Sequence, residues 1–142
     1  MSRLARGLVL PSPFDIVELC ARVSRRRRRR IVLAPMPLSA LGPCGLWLAG
    51  EQADIICYEQ DTSELHQEHI ILHELGHILH DHQGAETLNA LLPDLSGATL
   101  RIMLARQHDA FSAKAEREAE QFAYAVLARA SRGDGFRRVL ET

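Results

Sequence analysis

The hydrophobic pattern of the chain changes period several times, and each change predicts a structural element. Apolar residues three and four positions apart predict three main helices, because that spacing lines one face of an α-helix. Short runs of β-branched and aromatic residues predict strands. The helices are predicted from about residue 13 into the arginine run at 25–30, from an N-cap at Asp61, Thr62 or Ser63 to a stop at Gly84, and over about 112–130. The strands are predicted at 31–34, 45–49 and 53–59, the last two forming a hairpin.

Two shorter helical pieces, at 88–92 and 98–106, are predicted around Pro93. With no internal repeat and no linker, the element order predicts a single α+β domain over residues 1–142. Its parts are an N-terminal helix, a small sheet of about three strands, a long central helix and C-terminal helices.

The composition is that of a globular protein, with 46% hydrophobic and 25% charged residues and a net charge of -1 over 142 residues. It argues against disorder and against a fibrous repeat. The three cysteines form no C-x-x-C pair, which favours a reduced, cytoplasmic setting. Prolines and glycines interrupt the uncharged stretch 31–50, and Pro11 and Pro13 cut short the apolar N-terminus. Neither a membrane helix nor a signal peptide is therefore predicted.

Six consecutive arginines, Arg25–Arg30, make the N-terminal part of the chain strongly basic. Such a run is compatible with a nucleic-acid-binding module, which is one alternative function. The other interpretation is a solvated helix end, where cations are favoured by the helix dipole. Because no aromatic or glycine-rich residues are interleaved with the arginines, the second interpretation is favoured.

Candidate chemistry lies in the long central helix, which contains the sequence His73-Glu74-Leu75-Gly76-His77. In this H-E-x-x-H pattern the two histidines lie one turn apart on one face, where both imidazoles can bind one metal ion. Glu74 lies beside them, where a carboxylate can take a proton from water. A chance match on a polar helix face is the alternative.

The other histidines of the helix extend the same face, since five of the seven in the chain fall near one helical line. His69 is expected to line a cleft in front of the metal ligands. His66 and His80 are expected to line the cleft or cap the helix end, and His82 falls off the line. The opposite arc is apolar and is expected to pack on the core: Leu65, Ile71, Leu72, Leu75, Ile78 and Leu79.

A catalytic zinc usually has three protein ligands and an open position for water, so a third ligand is needed. The extended motif that ends in a third histidine is excluded, because Gln83 stands at the required position. The last helix supplies candidates at Glu116, Glu118 and Glu120. Glu116 lies nearest its apolar stripe and is the favoured ligand. Glu120 is the alternative ligand, or it orients a metal-binding histidine. All three could instead be solvated at the helix N-terminus.

Together, HELGH at 73–77 and EREAEQFA at 116–123 resemble the ImmA/IrrE family of metallopeptidases. The resemblance extends from about Phe14 to Ala130. It implies a compact zincin-like domain with His73, His77 and Glu116 as ligands of Zn²⁺ and Glu74 as general base. The chain departs from the family at Glu120, where an asparagine or aspartate is usual. Larger relatives carry C-terminal domains that are not expected after Thr142.

The function implied by the resemblance is a zinc metalloendopeptidase that cleaves a helix-turn-helix transcriptional repressor, often encoded nearby, and so relieves repression. In that mechanism zinc polarises a water and the substrate carbonyl, while Glu74 moves the proton to the leaving amine. Tyr58, Tyr124 and His69 are the candidates for oxyanion stabilisation. An extended peptide could add to the edge of the 45–59 hairpin. The alternative is an inactive metal-binding regulator that titrates a repressor or antitoxin-like partner.

Overall fold

The computed structural model describes residues 3–38, 45–87 and 97–141. Within these ranges the chain forms five helices and four strands. In chain order they are α1 (Arg3–Gly7), α2 (Ile16–Arg27), β1 (Arg30–Met36), β2 (Gly45–Ala49), β3 (Ala53–Glu59), α3 (Glu64–Leu79), β4 (Glu86–Thr87), α4 (Gly97–Ala110) and α5 (Ala113–Glu141).

Side-chain caps fix where the N-terminal ends of α2 and α3 lie. The Asp15 carboxylate accepts hydrogen bonds from two backbone N–H groups of the first turn of α2, and the Ser63 hydroxyl accepts one from His66 in α3. Such caps satisfy donors that have no partner within the helix. Both helices end shortly before a residue in the left-handed conformation, Arg28 at φ 58° and Asp81 at φ 53°.

The strands form one mixed sheet in the order β1-β3-β2-β4. β2 and β3 pair antiparallel as the predicted hairpin, with Trp47 opposite Ile56, while β1 pairs parallel with the other side of β3. The two-residue strand β4 pairs parallel with the end of β2. β3 is therefore an interior strand.

Alternate residues of the sheet enter two apolar clusters on its opposite faces. Trp47 and Ile56 belong to the larger cluster, which also contains buried residues of α2, α3 and α5. Leu46 and Leu48 belong to the smaller cluster, formed with apolar residues of α4. The sheet thus lies between α4 and the other long helices, as period-two alternation requires.

Helices α3 and α5 pack closely because the contact point on α3 is a glycine. A Cβ built on Gly76 would lie 3.1 Å from the Cα atom and the carbonyl oxygen of Ala119. Small residues on both helices allow this approach, and Phe122 packs fully buried beside them. The close contact sets the distance between the H-E-x-x-H motif on α3 and the glutamates at the start of α5.

One buried carboxylate anchors the arginine run to the hairpin. Asp54 is 2% exposed and accepts hydrogen bonds from the Trp47 indole N–H at 2.9 Å, from Arg29 Nε at 3.0 Å and from Arg27 at 3.2 Å. Arg29 also donates to the carbonyl oxygens of Gly50 and Ala53. Two of the six arginines are therefore used inside the fold, and the pKa of Asp54 lies below its usual value because these hydrogen bonds outweigh its desolvation.

The predicted α+β class is confirmed, with the N-terminal helix, the small sheet, the H-E-x-x-H helix and the C-terminal helices in the expected order. The predicted end of the central helix at Gly84 is wrong, because Asp81 turns left-handed and α3 ends at Leu79. Leu65, expected in the core, is 68% exposed, since α3 becomes buried only from Ile70 onward. Helix α1 and strand β4 were not predicted, and the piece at 88–92 lies outside the described residues.

Over the described ranges, no helix is both long enough and apolar enough to cross a membrane. Residues 39–44 of the uncharged stretch 31–50 lie outside the described ranges.

We predict that Asp54→Ala lowers the free energy of unfolding by about 2–3 kcal/mol, because it leaves two guanidinium groups and an indole N–H without their acceptor. Urea denaturation measures the change. The matched control is Arg26→Ala in the same arginine run, where the side chain is exposed and the change should stay under about 0.5 kcal/mol. Equal effects of the two substitutions would contradict the anchoring role of Asp54.

Candidate metal centre

A cleft of about 280 Å³ lies over the exposed face of α3. Helices α3 and α5 supply most of the polar residues of its lining, and α4, Phe111 and the start of β2 supply other lining residues. The polar lining from α3 and α5 consists of His66, His69, His73, Glu74, Glu116 and Glu120. Three residues on these two helices form a group able to hold a metal ion, with ligand atoms all within 4.8 Å of one another: His73, His77 and Glu116.

His73 lies between two carboxylates of α5. Its Nδ1 is 2.8 Å from Glu120 Oε2, and its Nε2 is 3.1 Å from Glu116 Oε2. Burial lowers the pKa of His73, but the hydrogen bond to Glu116 and the charges of Glu74, Glu116 and Glu120 outweigh that effect and raise it to about 9. The imidazole is therefore protonated at neutral pH in the metal-free site.

His77 is fully enclosed, with its side chain 1% exposed. Its ring stacks on Phe111 with a centroid separation of 3.8 Å and an interplanar angle of 8°. The ring is also nearly perpendicular to that of His73, at 77°. Burial is the main reason that the pKa of His77 lies below its usual value, so this imidazole stays neutral.

The Nε2 atom of His77 provides the test of whether a metal ion fits. It is buried and makes no hydrogen bond to any described residue, although Glu116 Oε1 lies 3.1 Å away. A buried polar atom without a partner is unfavourable, and a cation between the imidazole and the carboxylate would satisfy both. Two imidazole nitrogens and one carboxylate are the ligand set of a catalytic zinc site, so the residues present fit Zn²⁺.

Glu116 is the carboxylate on which the two histidines converge. Its contacts with His73 and His77 hold its pKa well below the usual range, so it is ionised throughout the neutral region. Ser112 caps α5 by accepting the Ala115 N–H, which sets Glu116 in the first turn of that helix. Of the three predicted candidates, the structure brings Glu116 to both histidines.

Glu74 is a buried carboxyl group in the cleft wall, 6% exposed. Its Oε2 atom has no hydrogen-bond partner among the described residues. Burial raises the pKa of Glu74 to about 7, and the opposing charge of His73 limits the shift. Gly45 makes room for it, because a Cβ at that position would lie 3.0 Å from Glu74 Oε1. An acid with such a pKa can both accept and release a proton near neutral pH.

Glu120 lies where a residue orienting a histidine is expected, with one oxygen on His73 and the other on His69 Nε2. His69 lines the cleft and contacts the Tyr124 ring edge-on, with a centroid separation of 5.1 Å. Tyr124 is 61% exposed, and Tyr58 packs against the larger apolar cluster. Of the three oxyanion candidates, only His69 is part of the described cleft lining.

Of the two places expected for His80, the cleft lining and the helix end, the structure shows the helix end. Nδ1 of His80 bonds back to the carbonyl oxygen of Gly76, so it caps the last turn of α3 on another side of the helix. Sequence reasoning named Glu118 as a candidate ligand but did not predict its contact with His82: Nδ1 of His82 lies 2.9 Å from Nδ1 of His77, and its Nε2 lies 3.3 Å from Glu118. The contact could have been predicted only if the helix had been expected to end before His82, with the chain turning back at Asp81.

The outer edge of β2 is largely occupied. The Gln107 side chain accepts the Trp47 N–H at 2.9 Å and donates to the Trp47 carbonyl oxygen at 2.7 Å, and β4 pairs with Leu48 and Ala49. These backbone groups of β2 already have hydrogen-bond partners, so they are not available to an added peptide strand. The end of β2 at Gly45 borders the cleft.

Comparisons with protein-family models, with curated proteins and with solved structures find no match for this chain. The resemblance to the ImmA/IrrE metallopeptidases therefore rests on the motifs at 73–77 and 116–123. The convergence of His73, His77 and Glu116 is an independent observation of geometry.

We predict that zinc binding at pH 7 releases about one proton per ion, because a metal ligand must lose the proton that His73 holds. The apparent affinity should rise with pH and level off above about pH 9, where His73 is already neutral. Calorimetry in buffers of different ionisation enthalpy measures the release, and titration near pH 10 serves as the control. A proton count that does not change between the two pH values would contradict this site.

Proposed function

We propose that the protein is a zinc-dependent endopeptidase that cleaves a helix-turn-helix transcriptional repressor and thereby relieves repression. One observation carries the proposal: the buried carboxyl group of Glu74, whose Oε2 has no hydrogen-bond partner among the described residues, lines the cleft beside His73, His77 and Glu116. An H-E-x-x-H helix with a third ligand on another helix and a free carboxylate is suited to hydrolysing a peptide bond.

The residues that would hold the ion are His73 and His77, through Nε2, and Glu116. When bound, zinc supplies a Lewis acid that polarises a carbonyl group and acidifies a water molecule. Glu74 then accepts the proton of the attacking water and delivers it to the amine that leaves. Its pKa of about 7 suits both transfers, since a base near the working pH is the most effective.

The oxygen that becomes negatively charged in peptide hydrolysis would be stabilised by a hydrogen-bond donor from the protein. His69 is the candidate from the cleft lining, and its Nε2 contacts Glu120. Glu120 holds His73 at the same time, so one carboxylate orients both side chains.

The substrate class is inferred from the resemblance to the ImmA/IrrE family and not from the cleft itself. The proposal assigns the protein to the cytoplasm, where repressors act and where Cys20 and Cys57 would remain thiols. Both cysteines are buried and unpaired, and burial raises their pKa to about 12, so they are unreactive.

Glu74→Gln is the variant that tests this function, because it removes the base and leaves the three ligands in place. We expect stoichiometric zinc and a loss of peptide cleavage of at least about 10²-fold. The assay uses the purified repressor encoded by a neighbouring gene, with the products identified by mass spectrometry. The matched control is Glu64→Gln, an exposed glutamate in the first turn of the same helix, which should cleave like the wild type.

Three outcomes would count against the proposal in different ways. Equal cleavage by wild type and Glu74→Gln would remove Glu74 from the mechanism. Stoichiometric zinc with an intact partner in a stable complex would favour the regulator that titrates a repressor. A wild-type protein that binds no zinc would contradict the metal site itself.

A further inference from the structure

The chain turns back at the end of α3, and the turn places His82 beside the proposed metal ligand His77, on the side away from the cleft. Asp81, in the left-handed conformation, makes the turn, and the His82 N–H donates to the carbonyl oxygen of His77 at 3.0 Å. Aspartate tolerates this conformation better than most residues. The imidazole of His82 thereby faces the edge of His77 opposite the cleft.

These contacts match the protons of an imidazole that binds an ion through Nε2. Such a His77 carries its proton on Nδ1. Nδ1 of His82, 2.9 Å away, would accept that proton, and Nε2 of His82 would donate to the Glu118 carboxylate over 3.3 Å.

The other ring nitrogen of His77 is left for an ion. Nε2 lies 3.1 Å from Glu116 Oε1 and makes no hydrogen bond to any described residue, so no described group competes for its lone pair. A histidine ligand binds a metal ion through the nitrogen that carries no proton.

The surrounding rings hold the arrangement in place. Phe111 stacks on His77 and contacts the ring of His82 edge-on at 6.4 Å. The His80 ring lies almost parallel to that of His82, at 10° and a centroid separation of 5.1 Å. The His82 side chain is 11% exposed, so water has little access to compete for its hydrogen bonds.

We propose that His82 and Glu118 are positioning residues that present the metal-binding lone pair of His77. The inference rests on the zinc site of the proposed function. His73 is held separately, by Glu120, so each histidine ligand has its own orienting partner on the side away from the ion. The two ligands are therefore expected to respond independently when one partner is removed.

The test is the dissociation constant for zinc of the full chain, measured by competition with a chelator. His82→Ala should weaken binding about 10–100-fold, the effect of removing a partner of a metal ligand. His82→Asn should restore affinity to within about three-fold of wild type, because its amide oxygen can accept at the position of Nδ1. Glu118→Ala should show a smaller loss than His82→Ala. Gln83→Ala is the matched control, since it changes an exposed side chain of the same turn without touching His77 or His82, and it should bind zinc like the wild type.

Two further readouts separate positioning from a general loss of structure. Cobalt-substituted His82→Ala should show altered ligand-field absorption bands, while His82→Asn should keep the wild-type spectrum. Urea denaturation of the metal-free proteins should give similar free energies of unfolding for His82→Asn and His82→Ala. A difference in zinc affinity between these two variants would then not result from a difference in stability.

Equal zinc affinity in wild type and both His82 variants would overturn the positioning role and leave the peptidase proposal intact. Equal weakening by His82→Ala and His82→Asn, with similar losses of stability, would make His82 merely structural. A wild type that binds zinc but cleaves nothing, with His82→Ala weakened and His82→Asn rescued, would refute the peptidase and support the positioning role. A wild type that binds no zinc would overturn both.

Discussion

The contact between α3 and α5 is the constraint on which the candidate site depends. Gly76 has no side chain, so the backbone of α5 at Ala119 approaches α3 closely. Because the two helices are this close, Glu116 on α5 lies within 3.1 Å of His73 and His77 on α3. The segment 73–77 therefore provides both the close helix contact, at Gly76, and the two histidines of the candidate site.

The electrostatics of the site follow from the same geometry. Carboxylates of α5 meet imidazoles of α3 around the contact, and two of the imidazoles differ in charge because their surroundings differ. His73 is flanked by carboxylates, which hold its pKa at about 9, whereas burial against Phe111 keeps His77 neutral. A divalent cation would compensate the excess of negative charge contributed by Glu74 and Glu116.

Local sequence patterns predict much of the fold and of the candidate site. The period of the apolar residues predicts the main helices and the hairpin, and helical spacing selects Glu116 as the inward carboxylate. The end of α3 could not be read the same way, because it depends on the left-handed Asp81 and not on a glycine. In a helix that continues to Gly84, as predicted, His82 would point away from His77. The contact between the two histidines was therefore not predicted. Strand β4 has two residues and depends on tertiary pairing, which no local period reveals.

Anomalous diffraction at the zinc edge, from crystals of the zinc-loaded protein, would locate the ion directly. We predict one anomalous peak about 2.0–2.2 Å from Nε2 of His73, Nε2 of His77 and a carboxylate oxygen of Glu116, with His82 still bonded to His77 on the far side. A peak beside His80, His82 and Glu118, or an empty cleft with His73 still bonded to Glu116, would contradict the proposed metal centre.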